Sequence, residues 1–231
     1  MAAAAPNRRP YRRTKAEQTE LESQVVRVCL QLFAEGGYEA ISMRKLAGEV
    51  GVAPMSLYRY FPTKAHLMRH IWDDILSSAC DQAAQDMAKA RRPQTRLRAF
   101  LNGFLQYWLE NRSHYWVVFA IRDDLSELHA NASSDVLRPN PQRVIATLGE
   151  LLDACAGPHP VPQRERKNMV EMLFQRLLGF LLGVIGLGSV AWTEVASLKD
   201  SLLDSIDLQV RACLDKVIAA TETTRRLPRP A

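Results

Sequence analysis

Within Pro54–Lys64, the run Pro54-Met55-Ser56-Leu57-Tyr58-Arg59-Tyr60-Phe61-Pro62-Thr63-Lys64 concentrates the side chains best suited to a polyanion. Tyr58 and Tyr60 each carry a hydroxyl on a stiff ring that can donate to a phosphate oxygen, and Lys64 adds positive charge where a helix begins. Such contacts position a protein on a duplex without reading it. Arg59 can bond guanine O6 and N7, Met55 can touch a thymine methyl, and Ser56 can pair with more than one base edge. These three are the candidates for sequence reading.

Side chains of this kind act only if a rigid element presents them, and the preceding residues can build one. Ala47, Gly51 and Leu57 have the A-x3-G-x5-L spacing of a helix-turn-helix: a small residue for close packing, a glycine for the turn, and an apolar anchor on the second helix. Leu46, Val50 and Val52 fill the remaining packing positions. Ser42 can cap the first of the two helices, and Pro54 suits the first turn of the second. The same spacing also occurs in helical corners that bind nothing, so it does not decide the matter alone.

The string Leu57–Lys64, with Leu67 after it, resembles the signature of the tetracycline-repressor (TetR) family, L-Y-x-[HY]-F-x-x-K-x-x-L. Upstream, Leu32–Met43 resembles the same family's exit from helix 1 and entry into helix 2, so that the resemblance covers about Val25–Leu67. It implies that Ser42 and Arg44 on the second helix also meet DNA. The expected DNA-facing set is then Ser42, Arg44, Pro54, Met55, Ser56, Tyr58, Arg59, Tyr60 and Lys64. Two departures stand out: Ala53 replaces the serine that commonly caps the recognition helix, and Pro54-Met55 replaces a small polar pair.

Charge agrees with a polyanion at the front of the chain. Residues 1–70 hold 11 Lys+Arg against 6 Asp+Glu, a net of +5, whereas residues 71–231 hold 19 of each. A local basic excess attracts DNA through its field and through counterion release. The arm Arg8–Lys15 holds five basic residues and no acid; it can lie along phosphates, enter a minor groove, or serve only as a solubilising tail.

Other chemistries find no support. H-E-x-x-H, G-x-S-x-G, Walker and G-x-G-x-x-G motifs are absent, so no enzyme and no cofactor is expected. Cys29, Cys80, Cys155 and Cys213 lack C-x-x-C spacing, which argues against zinc or a disulfide framework and fits buried thiols in a reducing cytoplasm. The start of the chain has no secretory h-region. The uncharged run Leu177–Trp192 contains Gly179, Gly183, Gly186 and Gly188, and is short for a bilayer span, so a buried helix and no membrane are expected.

Hydrophobic periodicity predicts an all-α protein, and the resemblance implies a three-helix helix-turn-helix domain followed by a helical dimerisation and ligand-binding bundle. Helices are expected at Lys15–Glu35, Met43–Val50, Pro54–Tyr60, Thr63–Lys89, Leu97–Glu110, Tyr115–Ile121, Gln142–Cys155, Arg164–Gly188 and Thr193–Ala219, with proline-marked loops at Arg138–Pro141 and Gly157–Pro162. The expected domains are a disordered basic arm at 1–14, the DNA-binding domain at 15–66, the effector and dimerisation domain at 67–220, and a disordered tail at 221–231.

The last two helices carry long apolar stripes suited to a four-helix dimer interface, or to the subunit's own core. Phe100, Phe104, Tyr107, Trp108, Tyr115, Trp116 and Phe119 form the richest aromatic cluster in the chain. The resemblance places an effector pocket among such helices, and the expected lining is Phe100, Phe104, Tyr107, Trp108, Trp116, Phe119, Phe174 and Gln175, with Asn102, His114 and Arg176 as further polar candidates. Close packing without a ligand is the alternative. The expected partners are a palindromic double-stranded DNA operator, a second copy of the chain, and a small hydrophobic or aromatic effector. The alternative is a DNA-binding regulator without a small-molecule effector.

Overall fold

The computed structural model describes residues 14–119, 141–188 and 190–226, with side chains described to residue 219. Among them there is no strand, and the protein is all-α as the periodicity predicts. The chain divides into two compact units, Met1–Leu67 and Met68–Ala231.

The first unit opens with α1 (Lys15–Gly36). Its start is set by a capping box the apolar pattern does not reveal: the Glu17 amide donates to Thr14 Oγ1 at 3.3 Å, and the Thr14 amide donates to the Glu17 carboxylate at 2.7 Å. The helix stops at Gly37, whose φ of 66° lets its amide turn back to the Phe33 carbonyl at 2.8 Å. A 3-10 turn (Tyr38–Ala40) leads to α2 (Met43–Glu49) and α3 (Pro54–Tyr60). Leu21, Val25, Cys29 and Leu32 of α1 meet Leu46, Ala47 and Leu57 in a core where each is at most 4% exposed.

The helix α4 (Lys64–Ala88) contains the division between the units, at Leu67/Met68. The second unit continues with α5 (Pro93–Glu110), α6 (Arg112–Phe119), α7 (Gln142–Ala156), α8 (Gln163–Leu181) and α9 (Val195–Arg226). At its centre is α5, which packs against α7, α8 and α9. Gly103 permits a close approach to α4, because a β-carbon there would lie 2.9 Å from Ala83 Cα. The indole of Trp72 on α4 donates to the Val117 carbonyl of α6 at 2.8 Å, a buried bond that ties the two helices. Arg98 of α5 reaches α9 through Asp204 at 2.8 Å and Asp207 at 2.7 Å.

Boundaries differ from expectation where caps and tertiary partners act. The last turn of α8 widens into a π-helical turn at Leu182–Gly186, and the Trp192 indole donates to the Gly183 carbonyl at 3.0 Å. The final helix runs on to Arg226, beyond the expected end at Ala219, so residues 221–226 continue the helix. The expected basic arm, the end of the Tyr115–Ile121 helix and most of the Arg138–Pro141 loop lie outside the described residues. By length and composition Gln163–Gly186 satisfies the requirement for a membrane span. Its residues Met169, Val170, Leu173, Leu177 and Leu181 are nonetheless buried in the second unit, where α8 packs on α5, α7 and α9.

Candidate nucleic-acid interface and apolar groove

Local sequence explains how α2 and α3 present their side chains. The Ser42 hydroxyl accepts from the Lys45 amide at 3.1 Å and caps α2. Gly51 adopts φ 73°, a left-handed conformation that L side chains rarely take, and the chain then turns so that the Val52 amide donates to the Ala47 carbonyl at 2.9 Å. Leu46, Ala47 and Leu57 are fully buried, whereas Val50 and Val52 are half-buried at the edge of the corner. Ala53 stands at the N-cap of α3 and offers no side-chain bond, with Pro54 following as the first helical residue.

Opposite this packed side, α3 offers an open face. Met55 is 79% exposed and Tyr58 41%, Pro54 and Arg59 are exposed, and Ser56 and Tyr60 are half-buried. The Arg59 guanidinium lies 5.5 Å from the centre of the Tyr60 ring, close enough for a cation–π contact. On α2, Ser42 and Arg44 are exposed, and Lys45 pairs with Glu35 at 3.6 Å. The structure therefore brings eight of the nine expected residues to the exposed or half-exposed surface of α2 and α3.

The ninth, Lys64, stands at the start of α4, where it is half-buried. Its ammonium donates to the Tyr38 carbonyl at 2.8 Å and sits 3.5 Å from the centre of the Tyr38 ring. The cation is held by a residue twenty-six positions earlier. Sequence reasoning missed Tyr38 because no periodicity links positions so far apart.

The second unit contains an apolar groove of about 770 Å³, lined by Tyr115, Trp116 and Phe119 of α6, by Glu171, Phe174, Gln175, Leu178 and Gly179 of α8, and by Leu182 and Gly186 of the π turn. Four expected residues, Trp116, Phe119, Phe174 and Gln175, line it. The other four do not: Phe100, Phe104 and Trp108 are at most 1% exposed and Tyr107 is 6% exposed, packed in the core. Their rings meet edge-on, Phe104 on Trp108 at 5.9 Å and Tyr107 on Trp108 at 5.3 Å, and Trp108 in turn touches Phe119 at 5.2 Å. The core cluster thus backs the wall of the groove. Tyr115, Leu178 and Leu182 also line the groove, and only the packing of α6 against the π turn gives them a common space.

The polar candidates are divided in the same way. His114 Nδ1 lies 2.8 Å from the Tyr107 hydroxyl, and burial lowers the His114 pKa against the opposing influence of Asp74. Arg176 donates to the Ser205 hydroxyl at 3.3 Å. Neither lines the groove, nor does Asn102. Among the described residues no group of three or more His, Cys, Asp or Glu could hold a metal ion. Burial also raises the thiols, Cys29 to about 12 and Cys155 to about 11.

Residues 26–71 match the family described as bacterial regulatory proteins, tetR family. The chain is also similar to the HTH-type transcriptional repressor KstR of Rhodococcus jostii (strain RHA1), 45% identical over 51 residues, which is 22% of this chain and 24% of that protein. A match to the nucleoid occlusion factor SlmA of Haemophilus influenzae is 30% identical over 93 residues, 40% of this chain and 43% of that protein. The chain thus spans about a quarter of the length of the first curated relatives it matches. Two solved structures share the fold across both units. One is the fatty acid degradation regulator FadR of Bacillus halodurans, with TM-score 0.62 and 17% identity, covering 85% of this chain and 96% of that one. The other is a TetR-like transcriptional regulator of Rhodococcus sp. RHA1, with TM-score 0.56 and 19% identity, covering 87% and 99%.

Proposed function

From the match of residues 26–71 to the tetR family of bacterial regulatory proteins, we propose that this chain is a homodimeric transcriptional repressor released from a palindromic operator by a small hydrophobic effector. It is a regulator and not an enzyme. The observation that carries the reading is the packed corner of Ala47, Gly51 and Leu57, which turns Pro54, Met55, Tyr58 and Arg59 outward on a unit with a basic excess. Met55, Ser56 and Arg59 face base edges, while Ser42, Tyr58 and Tyr60 reach phosphates and Arg44 reaches a phosphate or base edge. Lys64 acts by holding Tyr38, and its charge adds to the field without a direct contact.

Two copies are needed because one short helix reads few base pairs, whereas a two-fold pair reads half-sites about one helical turn apart or a multiple of it. The exposed face of α8 and α9, with Leu208, supplies the surface for that pairing. The groove walled by Trp116, Phe119 and Phe174 is where the effector binds, with Gln175 as a polar anchor. Binding there shifts the dimer toward a spacing that no longer fits the operator. The protein acts in the cytoplasm, where its thiols stay reduced.

A regulator without a small-molecule effector is the second reading, favoured by the dense packing of Phe100, Phe104 and Trp108. Selection of bound sequences from a random duplex pool tests the first part: a palindromic consensus is expected, and recovery of unrelated sequences at low salt only would overturn it. Release of the selected duplex by hydrophobic or aromatic compounds separates the two readings, because Trp116→Ala and Phe174→Ala would abolish release only if the groove is the effector site.

A further inference from the structure

The outer face of α3 is organised around two side chains. At about 100° per residue, Met55 and Arg59 each lie within about 20° of the direction opposite Leu57. Leu57 is fully buried, Met55 is 79% exposed and Arg59 is exposed, so the helical register and the observed burial agree. Pro54 and Tyr58 occupy one flank of this ridge, and Ser56 and Tyr60 the other.

An unbranched thioether held this far into solvent forgoes the stabilisation that burial of an apolar side chain brings, and it recovers that only against an apolar surface. On the major-groove edges of the bases, the apolar group is the thymine 5-methyl. The residues Pro54–Tyr60 include no Asn, Gln, Asp or Glu, so α3 lacks the amide that pairs with adenine and the carboxylate that accepts from cytosine. Four residues of helix advance about 6 Å, close to two base-pair steps.

On this basis we propose that Met55 is a specificity-determining residue that reads the 5-methyl group of one thymine in each half-site, about two base pairs from a guanine read by Arg59. The proposal rests on the DNA-binding reading given above and adds the base chemistry to it. It accounts for the Pro54-Met55 pair: proline starts a helix that lacks a side-chain cap, and methionine supplies an apolar tip where a polar residue would read differently.

The test replaces each thymine of the selected duplex, one at a time, with deoxyuridine, which removes only the methyl group, and compares the intact protein with Met55→Ala. The intact protein is expected to lose about fourfold in affinity at one thymine per half-site, the effect of one buried carbon. Met55→Ala is expected to bind the unmodified duplex more weakly and to be indifferent to deoxyuridine at that position. A uniform indifference of the intact protein, or the same sensitivity in Met55→Ala, overturns the proposal while leaving DNA binding intact. If the intact protein selects no sequence, the DNA-binding reading fails first and this one with it. The high exposure of Met55 keeps the substitution from disturbing the fold.

Discussion

The Lys64 ammonium and Tyr38 form a double contact, a 2.8 Å bond to the backbone carbonyl and a 3.5 Å approach to the ring centre. The two residues join the start of α4 to the turn between α1 and α2. A cation engaged by both a carbonyl and an aromatic face in a half-buried site contributes to the rigidity of the whole first unit. Lys64→Met is therefore expected to lower its stability by about 1–2 kcal/mol. Urea unfolding followed by tyrosine fluorescence or by circular dichroism checks this. An unchanged midpoint, together with a shallower salt dependence of DNA binding, would return Lys64 to a phosphate contact.

Arg59 and Tyr60 are neighbours with different expected roles. Tyr60→Phe removes one hydroxyl and is expected to weaken binding to every duplex alike, whereas Arg59→Ala is expected to relax the preference at one base pair by about 1–3 kcal/mol. Competition binding against duplexes carrying single substitutions separates these outcomes. An unchanged preferred sequence in Arg59→Ala would remove it from base reading.

Leu208 is 68% exposed on α9, a large apolar side chain left mostly uncovered by the described residues of its own subunit. Leu208→Glu is expected to shift the protein from dimer to monomer in sedimentation experiments and to reduce operator affinity strongly. Its circular dichroism spectrum should remain that of the parent. A dimer that survives the substitution would place the pairing surface elsewhere.

Stability should decline on both sides of neutrality. His114 is buried and its folded pKa lies below the ordinary 6.5, so the folded state resists protonation and stability falls as the pH drops below 6.5. Cys29 is raised from 9.0 to about 12, so its contribution is complete below pH 9 and is lost as the pH rises from 9 toward 12. Urea midpoints measured across this range should form a plateau between the two limbs, and His114→Gln should flatten the acid limb. For the same reason Cys29, Cys80 and Cys155 should resist alkylation at pH 8 until the protein is unfolded.

The reading corner of this protein was legible in the sequence because its determinants are local. Ala47, Gly51 and Leu57 lie within eleven positions, and a positive φ at Gly51 with full burial of Leu57 follows from chain geometry and the period of a helix. The same period gave the last two helices their apolar stripes, suited equally to a dimer interface or to the subunit's own core. Tertiary structure alone decided how the aromatic cluster divides. Phe100, Phe104, Tyr107 and Trp108 are buried in the core, where Tyr107 meets His114 and Trp108 meets Tyr115 and Phe119 of α6, whereas Trp116 and Phe119 look onto the groove beside the π turn. Periodicity specifies which side of a helix is apolar, but what lies against that side depends on segments distant in the chain. Lys64 shows the same limit: its charge and position were visible, and its partner Tyr38 became its neighbour only when the first unit folded.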